Sequence, residues 1–302
     1  MTTLAPPPTD TAWETSPANV PGSPTARLLR SPLMVVGLLM VGTVVFLALF
    51  APLLTAHDPT EVTGRRAMEQ PSSRHWLGTD EPGRDIFAQL VYGTRPALTV
   101  AVVGAGLALA GGLLLGVAPA LVGGNTDMVF NRLVVFLLAL PGLPLLILIA
   151  TLAGPNDLAI LLVIASSGVP PIARVLRSQA VTLRERGYIS AARGFGAGPM
   201  YVLRRHLVPA LGPLMVVEFV NWAAVAVALQ AALAFLGLGN PSSINWGLMM
   251  DRALGQENIY FSPMWTWWVL PPGLAITFTV LGFTFVGIAL EPAFNPRWLR
   301  SA

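Results

Sequence analysis

The side chains that most often do chemistry in proteins are scarce in this chain. The sequence contains no cysteine and three histidines, and all of its 18 basic residues are arginine. Without cysteine there can be no disulfide, thiolate nucleophile or cysteine-based zinc or iron–sulfur site. Without lysine there is no residue to reach the β- and γ-phosphates from a Walker A loop, so this chain is not expected to hydrolyse ATP itself.

A hydrolase acting inside a membrane would need a nucleophile and a base at one depth. Ser166 and Ser167 lie in an apolar segment, but His57, His75 and His206 all fall outside such segments. The histidines also lack a metal-ligand spacing such as H-E-x-x-H. The sequence therefore argues against an enzyme and predicts neither a metal site nor a cofactor in this chain.

The composition is that of a membrane protein. Of 302 residues, 54% are hydrophobic and only 11% are charged, and the mean hydropathy is +0.66. Soluble domains carry about 25% charged residues. The net charge of +3 does not indicate a nucleic-acid partner, because the arginines follow the membrane topology.

Uncharged stretches of about 20 residues predict an all-α membrane protein with six transmembrane helices. The fourth stretch is the shortest and ends at Pro170 and Pro171. The predicted spans are Leu33–Leu54, Ala97–Val122, Leu133–Ala153, Leu158–Ala173, Leu211–Phe235 and Trp267–Leu290.

If the amino terminus is cytoplasmic, most arginines fall in inside segments, as the positive-inside rule requires. Both termini are then cytoplasmic. The chain divides into a disordered cytoplasmic tail at 1–30, a first transmembrane helix at 31–56, an extracytoplasmic loop at 57–96, a core of five helices at 97–292 and a cytoplasmic tail at 293–302.

The basic segment between the fourth and fifth spans has the pattern of a helix, a glycine break and a second helix. Tyr188, Ala191, Ala192 and Phe195 share one helical face, and glycines follow directly. Small residues on a short exposed helix allow close approach of a partner. The residues alone fit equally well a docking helix or a basic loop held by lipid phosphates.

The stretch "SAARGFGAGPMYVLRRHLVP" resembles the EAA loop of ABC-importer permeases, with Ala191, Ala192, Gly196 and Pro209 in register and Ser190 where the family usually has Glu. The resemblance implies an EAA-type coupling loop at 183–209, whose helix inserts into a cytoplasmic ATPase. The residues expected to take part in this coupling are Tyr188, Ser190, Ala191, Ala192, Gly196 and Pro209.

Two further segments, "HWLGTDEPGRDIFAQLVYGTRPAL" and "FLGLGNPSSINWGLMM", resemble the C-type subunit of the peptide/nickel (dipeptide/oligopeptide) group of these permeases. The resemblance implies a type I ABC-importer permease fold in a bacterial inner membrane. It also implies a second homologous permease, an extracytoplasmic solute-binding protein and two cytoplasmic ATPases that bind the ATP and magnesium.

Polar residues in the fifth span are candidates for the translocation pathway. They are Glu218, Asn221, Trp222 and Gln230, the last at a position that is commonly Glu in the group. An acid at the depth of Glu218 is expected to line the pathway, to pair with Arg132 or another arginine, or to be protonated. Polar residues also bond helix to helix, which is the competing interpretation for each of them.

The acidic outer loop supplies candidate contacts for the binding protein at Asp80, Arg84 and Asp85; alternatively the loop simply caps the helices. The predicted cargo is a di- or oligopeptide, with nickel complexes and oligosaccharides as alternatives. A stand-alone channel or secondary transporter fits the composition but leaves the coupling loop unexplained, and no inverted repeat is evident.

Overall fold

A computed structural model describes residues 31–62 and 67–294, with side chains up to Glu291. The predicted tail at 1–30 and most of the predicted tail at 293–302 lie outside the described residues. The helices, numbered along the chain, are α1 (Pro32–Leu54), α2 (Ile86–Val122), α3 (Gly124–Ala139), α4 (Gly142–Ala153), α5 (Asp157–Arg184), α6 (Gly187–Gly194), α7 (Pro199–Phe235), α8 (Trp246–Leu254), α9 (Trp265–Trp268) and α10 (Leu270–Phe294).

The helical architecture confirms the predicted fold class. In the described part of the chain, five helical segments are long and apolar enough to cross a bilayer, and a sixth span is formed if α3 and α4 are counted as one bent unit. No strand occurs in the described ranges. The protein is therefore an all-α membrane protein with five or six spans.

The third predicted span, Leu133–Ala153, lies across a sharp break between α3 and α4. The axes of α3 and α4 differ by 91°, and the break falls at Leu140 and Pro141. Leu140 has extended backbone angles, φ −73° and ψ 143°. The residue before a proline is disfavoured in the helical region, which explains why α3 ends there.

The fourth predicted span, Leu158–Ala173, is too short. Helix α5 continues through Pro170 and Pro171 to Arg184, for 28 residues in all. Prolines are tolerated inside membrane helices where neighbouring groups satisfy the freed carbonyls. The two prolines therefore do not mark the end of this span.

Two other helices begin earlier in the sequence than the predicted spans. The segment predicted as an extracytoplasmic loop at 57–96 becomes helical from Ile86, because the Asp85 carboxylate accepts a 2.7 Å hydrogen bond from the Ala88 amide and caps α2. At the other end, α7 begins at Pro199, so the predicted span Leu211–Phe235 is only its later part.

The spans pack through small residues. Helix α1 lies along α10, which packs on α7, and α7 in turn contacts α2 and α5. A Cβ atom on Gly37 of α1 would lie 2.8 Å from the amide nitrogen of Val286, so the two backbones touch there. Such close approach is the usual way membrane helices gain packing energy, since lipid is as apolar as the side chains.

Arg95 of α2 bonds to a carbonyl of α1 that a proline leaves without a partner in its own helix. Pro52 has no N–H to donate to the carbonyl of Ala48 one turn earlier. The Arg95 Nε atom donates to that carbonyl oxygen instead, at 2.9 Å. This bond fixes the start of α2 against the end of α1.

The two ends of the bundle are formed by different elements. The coupling end contains the last turns of α2 and α5, the start of α3, all of α6 and the start of α7. The loop end contains residues 55–62, 67–85 and 236–264, which lie on the other side of the bundle.

Candidate coupling site

Helix α6 is a short helix with well-defined ends. It begins after Arg186 and ends with paired backbone hydrogen bonds, from the Ala197 amide to the Ala192 carbonyl and from the Gly196 amide to the Arg193 carbonyl. This pattern is a Schellman motif, which requires a residue with positive φ. Gly196 supplies it with φ +87°.

One buried aliphatic residue anchors α6 in the apolar core of the bundle. Ile189 is completely buried and packs in a cluster that includes Leu207 and Leu211 of α7 and Leu176 of α5. The sequence analysis considered only the face around Tyr188 that could meet a partner, and it missed Ile189 as the anchor to the bundle. The signal was present, because Ile189 is the only branched aliphatic residue in the eight-residue helix.

The opposite face of α6 is open. Ser190 and Ala191 are exposed, Tyr188 is half-exposed, and Phe195, directly after the helix, is 93% exposed. Ala192 is partly covered. A face of small side chains with one projecting aromatic ring can fit into a groove of a partner, and apolar exposure of this kind marks interaction sites.

Two arginines join the coupling end to the last turn of α2. The Arg193 guanidinium of α6 donates to the Leu121 carbonyl at 3.1 Å, and the Arg184 guanidinium of α5 donates to the Ala120 carbonyl at 2.6 Å. The last carbonyls of a helix have no partner within the helix, and their partial negative charge favours cations. These bonds therefore link α6 and α5 directly to α2.

An ion pair extends this linkage to α3. Both Asp127 carboxylate oxygens accept hydrogen bonds from Arg177 of α5, at 2.7 and 2.8 Å. Two parallel bonds from one guanidinium fix direction as well as distance. Tyr188 also contacts the ring of His206 on α7, with 5.9 Å between ring centroids.

Pro209 does not end the coupling loop as a break in the chain. It is exposed and lies inside the continuous helix α7, directly after a π-helical turn at Leu203–Leu207. The structure thus connects the coupling loop to the fifth span by one continuous helix from Pro199 to Phe235.

The four pathway candidates are not gathered into one site. Trp222 packs on Gly168 of α5, and its indole N–H has no partner among the described residues. Asn221 is exposed, with its side-chain oxygen against Gly287 of α10. These two contacts agree with helix-to-helix packing.

Glu218 and Gln230 lie about 18 Å apart along α7, at 1.5 Å per residue. Glu218 is half-buried and forms no ion pair with an arginine in the described ranges, and the suggested partner Arg132 is exposed. Gln230 lines a cavity of about 310 Å³ at the loop end, together with Asp157 and Asn245. Whether any of the four contacts cargo stays a prediction.

Of the three predicted contacts for a binding protein, the two carboxylates of Asp80 and Asp85 are buried. Asp80 is 1% exposed and accepts hydrogen bonds from the Arg84 amide, the Arg84 Nε and the Gln89 side chain, at 2.7, 2.9 and 3.0 Å. Asp85 is 5% exposed and caps α2. Neither carboxylate is exposed in this conformation, which favours the alternative of a folded, helix-capping loop, and their contact with a binding protein stays a prediction.

A basic residue from α8 also approaches this loop. Burial, together with the nearby Arg84, lowers the pKa of the Arg252 guanidinium. The Arg252 side chain donates to the Pro241 carbonyl. Gln256 donates to the Glu81 carboxylate at 2.8 Å, which joins the two loop-end segments.

The two serines that the sequence suggested as nucleophiles, Ser166 and Ser167, form hydrogen bonds within their own helix. The Ser166 and Ser167 hydroxyls donate to carbonyls of their own helix, Val163 and Ile164, at 2.8 Å each. Sequence reasoning did miss a convergence of His57 and His75 on Asp85 at the loop end.

Two family models match this chain. Residues 108–300 match the family model described as binding-protein-dependent transport system inner membrane component. Residues 25–72 match the N-terminal transmembrane domain of oligopeptide transport permease C.

Three similar proteins each align with about nine-tenths of this chain. The chain is 35% identical to a dipeptide transport system permease protein of Alkalihalophilus pseudofirmus, covering 90% of this chain and 88% of the relative. It is 35% identical to a putative peptide permease protein of Brucella suis, covering 90% and 89%, and 31% identical to a probable D,D-dipeptide transport system permease protein of Escherichia coli, covering 89% of each. The chain therefore belongs to the family of inner-membrane permease components of binding-protein-dependent ABC importers.

Proposed function

We propose that this chain forms one half of a peptide translocation pathway, paired with a second homologous permease in a bacterial inner membrane. ATP hydrolysis takes place in two partner ATPases bound at the coupling end, and a solute-binding protein delivers cargo at the loop end. With the coupling end in the cytoplasm and six spans in all, both termini are cytoplasmic. This chain contributes no ATPase chemistry of its own.

The observation that carries the proposal is the construction of α6. It is held from beneath by buried Ile189, left open on the face of Ser190 and Ala191, and tied by Arg193 to the end of α2. A docking helix needs these three properties, because it must be presented, be accessible and be connected to what it moves. A basic loop held by lipid phosphates requires none of them.

The mechanism is a two-state switch in which ATP binding closes the ATPases and displaces α6. ATP shifts this equilibrium because the two states bind it with different affinity. Displacement of α6 pulls on α2 through Arg193 and on α7 through the single helix from Pro199 to Phe235. The two spans then move together and expose the pathway to the opposite side.

The cargo assignment rests on the relatives, whose names specify dipeptides or peptides. The neutral amides of Asn221 and Gln230 suit cargo of variable charge, since amides can donate and accept hydrogen bonds. Uptake of labelled nickel complexes or oligosaccharides, but not of peptides, would transfer the assignment to one of those cargo classes.

The test is transport by the assembled importer carrying Gly196→Glu. A bulky acid at this exposed turn, where the backbone also requires positive φ, is expected to reduce dipeptide uptake at least about tenfold while the chain remains in the membrane. Thr182→Glu is the control, because it adds the same charge at an exposed site of α5 before α6. Normal uptake by Gly196→Glu would contradict the docking role.

A further inference from the structure

At the loop end the structure brings together three metal-ligating side chains that are far apart in sequence. His57 follows α1, His75 lies in the middle of the loop, and Asp85 caps α2. One potential ligand atom from each of them lies within 4.8 Å of the other two. The two imidazole rings are 4.7 Å apart between centroids.

The separations are close to those of a tetrahedral metal site. Zinc bound at about 2.0 Å places neighbouring ligand atoms about 3.3 Å apart. The Asp85 Oδ2 atom lies 3.6 Å from His57 Nδ1 and 2.7 Å from His75 Nδ1. These two separations differ from the tetrahedral value by about 0.3 and 0.6 Å, so modest side-chain rotations would bring the carboxylate oxygen and the two nitrogens to ligand distances.

Outer contacts already orient these side chains. The second Asp85 oxygen accepts a 2.7 Å hydrogen bond from the Ala88 amide, which fixes the carboxylate. His75 is 4% exposed, yet its buried Nε2 has no hydrogen-bond partner within the part of the chain that the structure describes. A carboxylate oxygen of Glu69 lies 4.0 Å from that atom.

A metal on Nδ1 would explain this buried nitrogen. Coordination through Nδ1 leaves the single proton of a neutral imidazole on Nε2, facing the Glu69 carboxylate. Metal-bound histidines usually donate their other N–H to a carboxylate, carbonyl or water. Without a metal, a neutral His75 that donates from Nδ1 to Asp85 leaves Nε2 as a buried acceptor with no donor.

The site also has room for a further ligand. His57 is the most accessible of the three, with 28% of its side chain exposed. A cavity of about 130 Å³ adjoins His57 and Asp85 and is also lined by Ser73 and Trp76. This volume accommodates several waters, one of which can complete a four-coordinate site.

We propose that His57, His75 and Asp85 bind a divalent transition metal of the zinc class, with water as fourth ligand. Two imidazoles and a carboxylate suit zinc and its neighbours better than magnesium or calcium, which prefer oxygen ligands. The ion fastens three points to one another: the end of α1, the middle of the outer loop and the first turn of α2. Its role is to hold the loop end in shape where the binding protein docks.

The experiment uses the full chain, purified with a tag that contains no histidine and placed in lipid nanodiscs. Zinc chloride is titrated by calorimetry, and bound zinc is counted by mass spectrometry after dialysis. We expect one zinc per chain, a rise in melting temperature, and binding that excess magnesium does not displace. Cobalt in place of zinc should give the visible absorption of a four-coordinate site.

His57→Ala is the decisive variant, because His57 is the most exposed ligand and its loss leaves the His75–Asp85 hydrogen bond intact. We expect at least about tenfold weaker zinc binding and no zinc-dependent rise in melting temperature, with the metal-free melting temperature unchanged. His206→Ala is the control, because the third histidine lies at the coupling end and should not matter. Zinc binding that is equal in His57→Ala and the parent chain, or absent in both, would overturn the proposal.

Discussion

The Arg193 guanidinium of α6 donates a 3.1 Å hydrogen bond to the carbonyl of Leu121 in the last turn of α2. The two residues are 72 positions apart, and the bond joins the helix expected to dock an ATPase to a membrane span. The neighbouring carbonyl of Ala120 is bonded in the same way by Arg184 of α5. Movement of α6 therefore reaches the membrane without passing through a flexible loop.

Arg193→Ala removes this bond and should uncouple transport from hydrolysis. Loss of about 1 kcal/mol of coupling corresponds to about a fivefold fall in peptide taken up per ATP hydrolysed. ATPase activity itself should persist, because Arg193 does not lie in the ATPase. Uptake and hydrolysis are measured together on proteoliposomes containing the whole importer.

The matched control for this variant is Arg186→Ala. Arg186 is an exposed arginine just before α6, and its side chain makes no hydrogen bond in the described ranges. It should leave the ratio of uptake to hydrolysis unchanged. Equal losses in both variants would indicate that only the positive charge of this region matters.

The Asp127–Arg177 pair should stabilise the joint between α3 and α5. The pair is partly buried and bonded through both carboxylate oxygens, so Asp127→Asn is expected to lower the free energy of unfolding by about 1–3 kcal/mol. Unfolding is followed by temperature in nanodiscs. Arg177→Gln and the double variant complete a double-mutant cycle.

That cycle has a definite expected sign. If the two groups interact directly, the double variant loses less stability than the sum of the two single variants. Additive losses would mean that the two side chains act separately, and the joint would then depend on apolar contacts alone.

Asp80→Asn should loosen the outer loop. The Asp80 carboxylate is buried and accepts three hydrogen bonds, so replacing one oxygen by an amide leaves a donor facing Arg84 or Gln89. A cost of about 1.5–3 kcal/mol is expected for bonds to a charged group. Hydrogen exchange of the amides from residue 67 to 85 should become faster.

Glu257→Gln serves as the control for this loop variant, since Glu257 is an exposed acid of the loop end. It should not change exchange in residues 67–85. Unaltered exchange in Asp80→Asn would mean that the hydrogen bonds of Asp80 do not hold this loop in place.

The sequence was sufficient for features that depend on composition and local periodicity. Apolar runs of about 20 residues predicted the all-α membrane class, and the small residues around Ala191 together with Gly196 predicted a short helix with a sharp end. Both are local properties, because a Schellman turn requires only a residue that accepts positive φ. The relatives then confirmed the family that the motifs suggested.

The sequence failed where an outcome depends on tertiary contacts. Prolines gave opposite results, ending α3 before Pro141 but leaving α5 intact at Pro170, because neighbouring helices decide which helix continues. The inward position of Asp80 could not be predicted from its charge. The convergence of His57 and His75 depends on a loop fold with no regular spacing.

The central claim is that the open face of α6 docks on an ATPase, and the absence of cysteine makes it directly testable. Ala191→Cys introduces the only thiol of the chain, on an exposed position of α6. Thr60→Cys at the loop end is the control. Maleimide labelling is compared between the permease pair alone and the pair assembled with its ATPases. Labelling of Ala191→Cys should fall at least about tenfold on assembly while Thr60→Cys is unchanged; equal labelling of Ala191→Cys in both states would contradict the account.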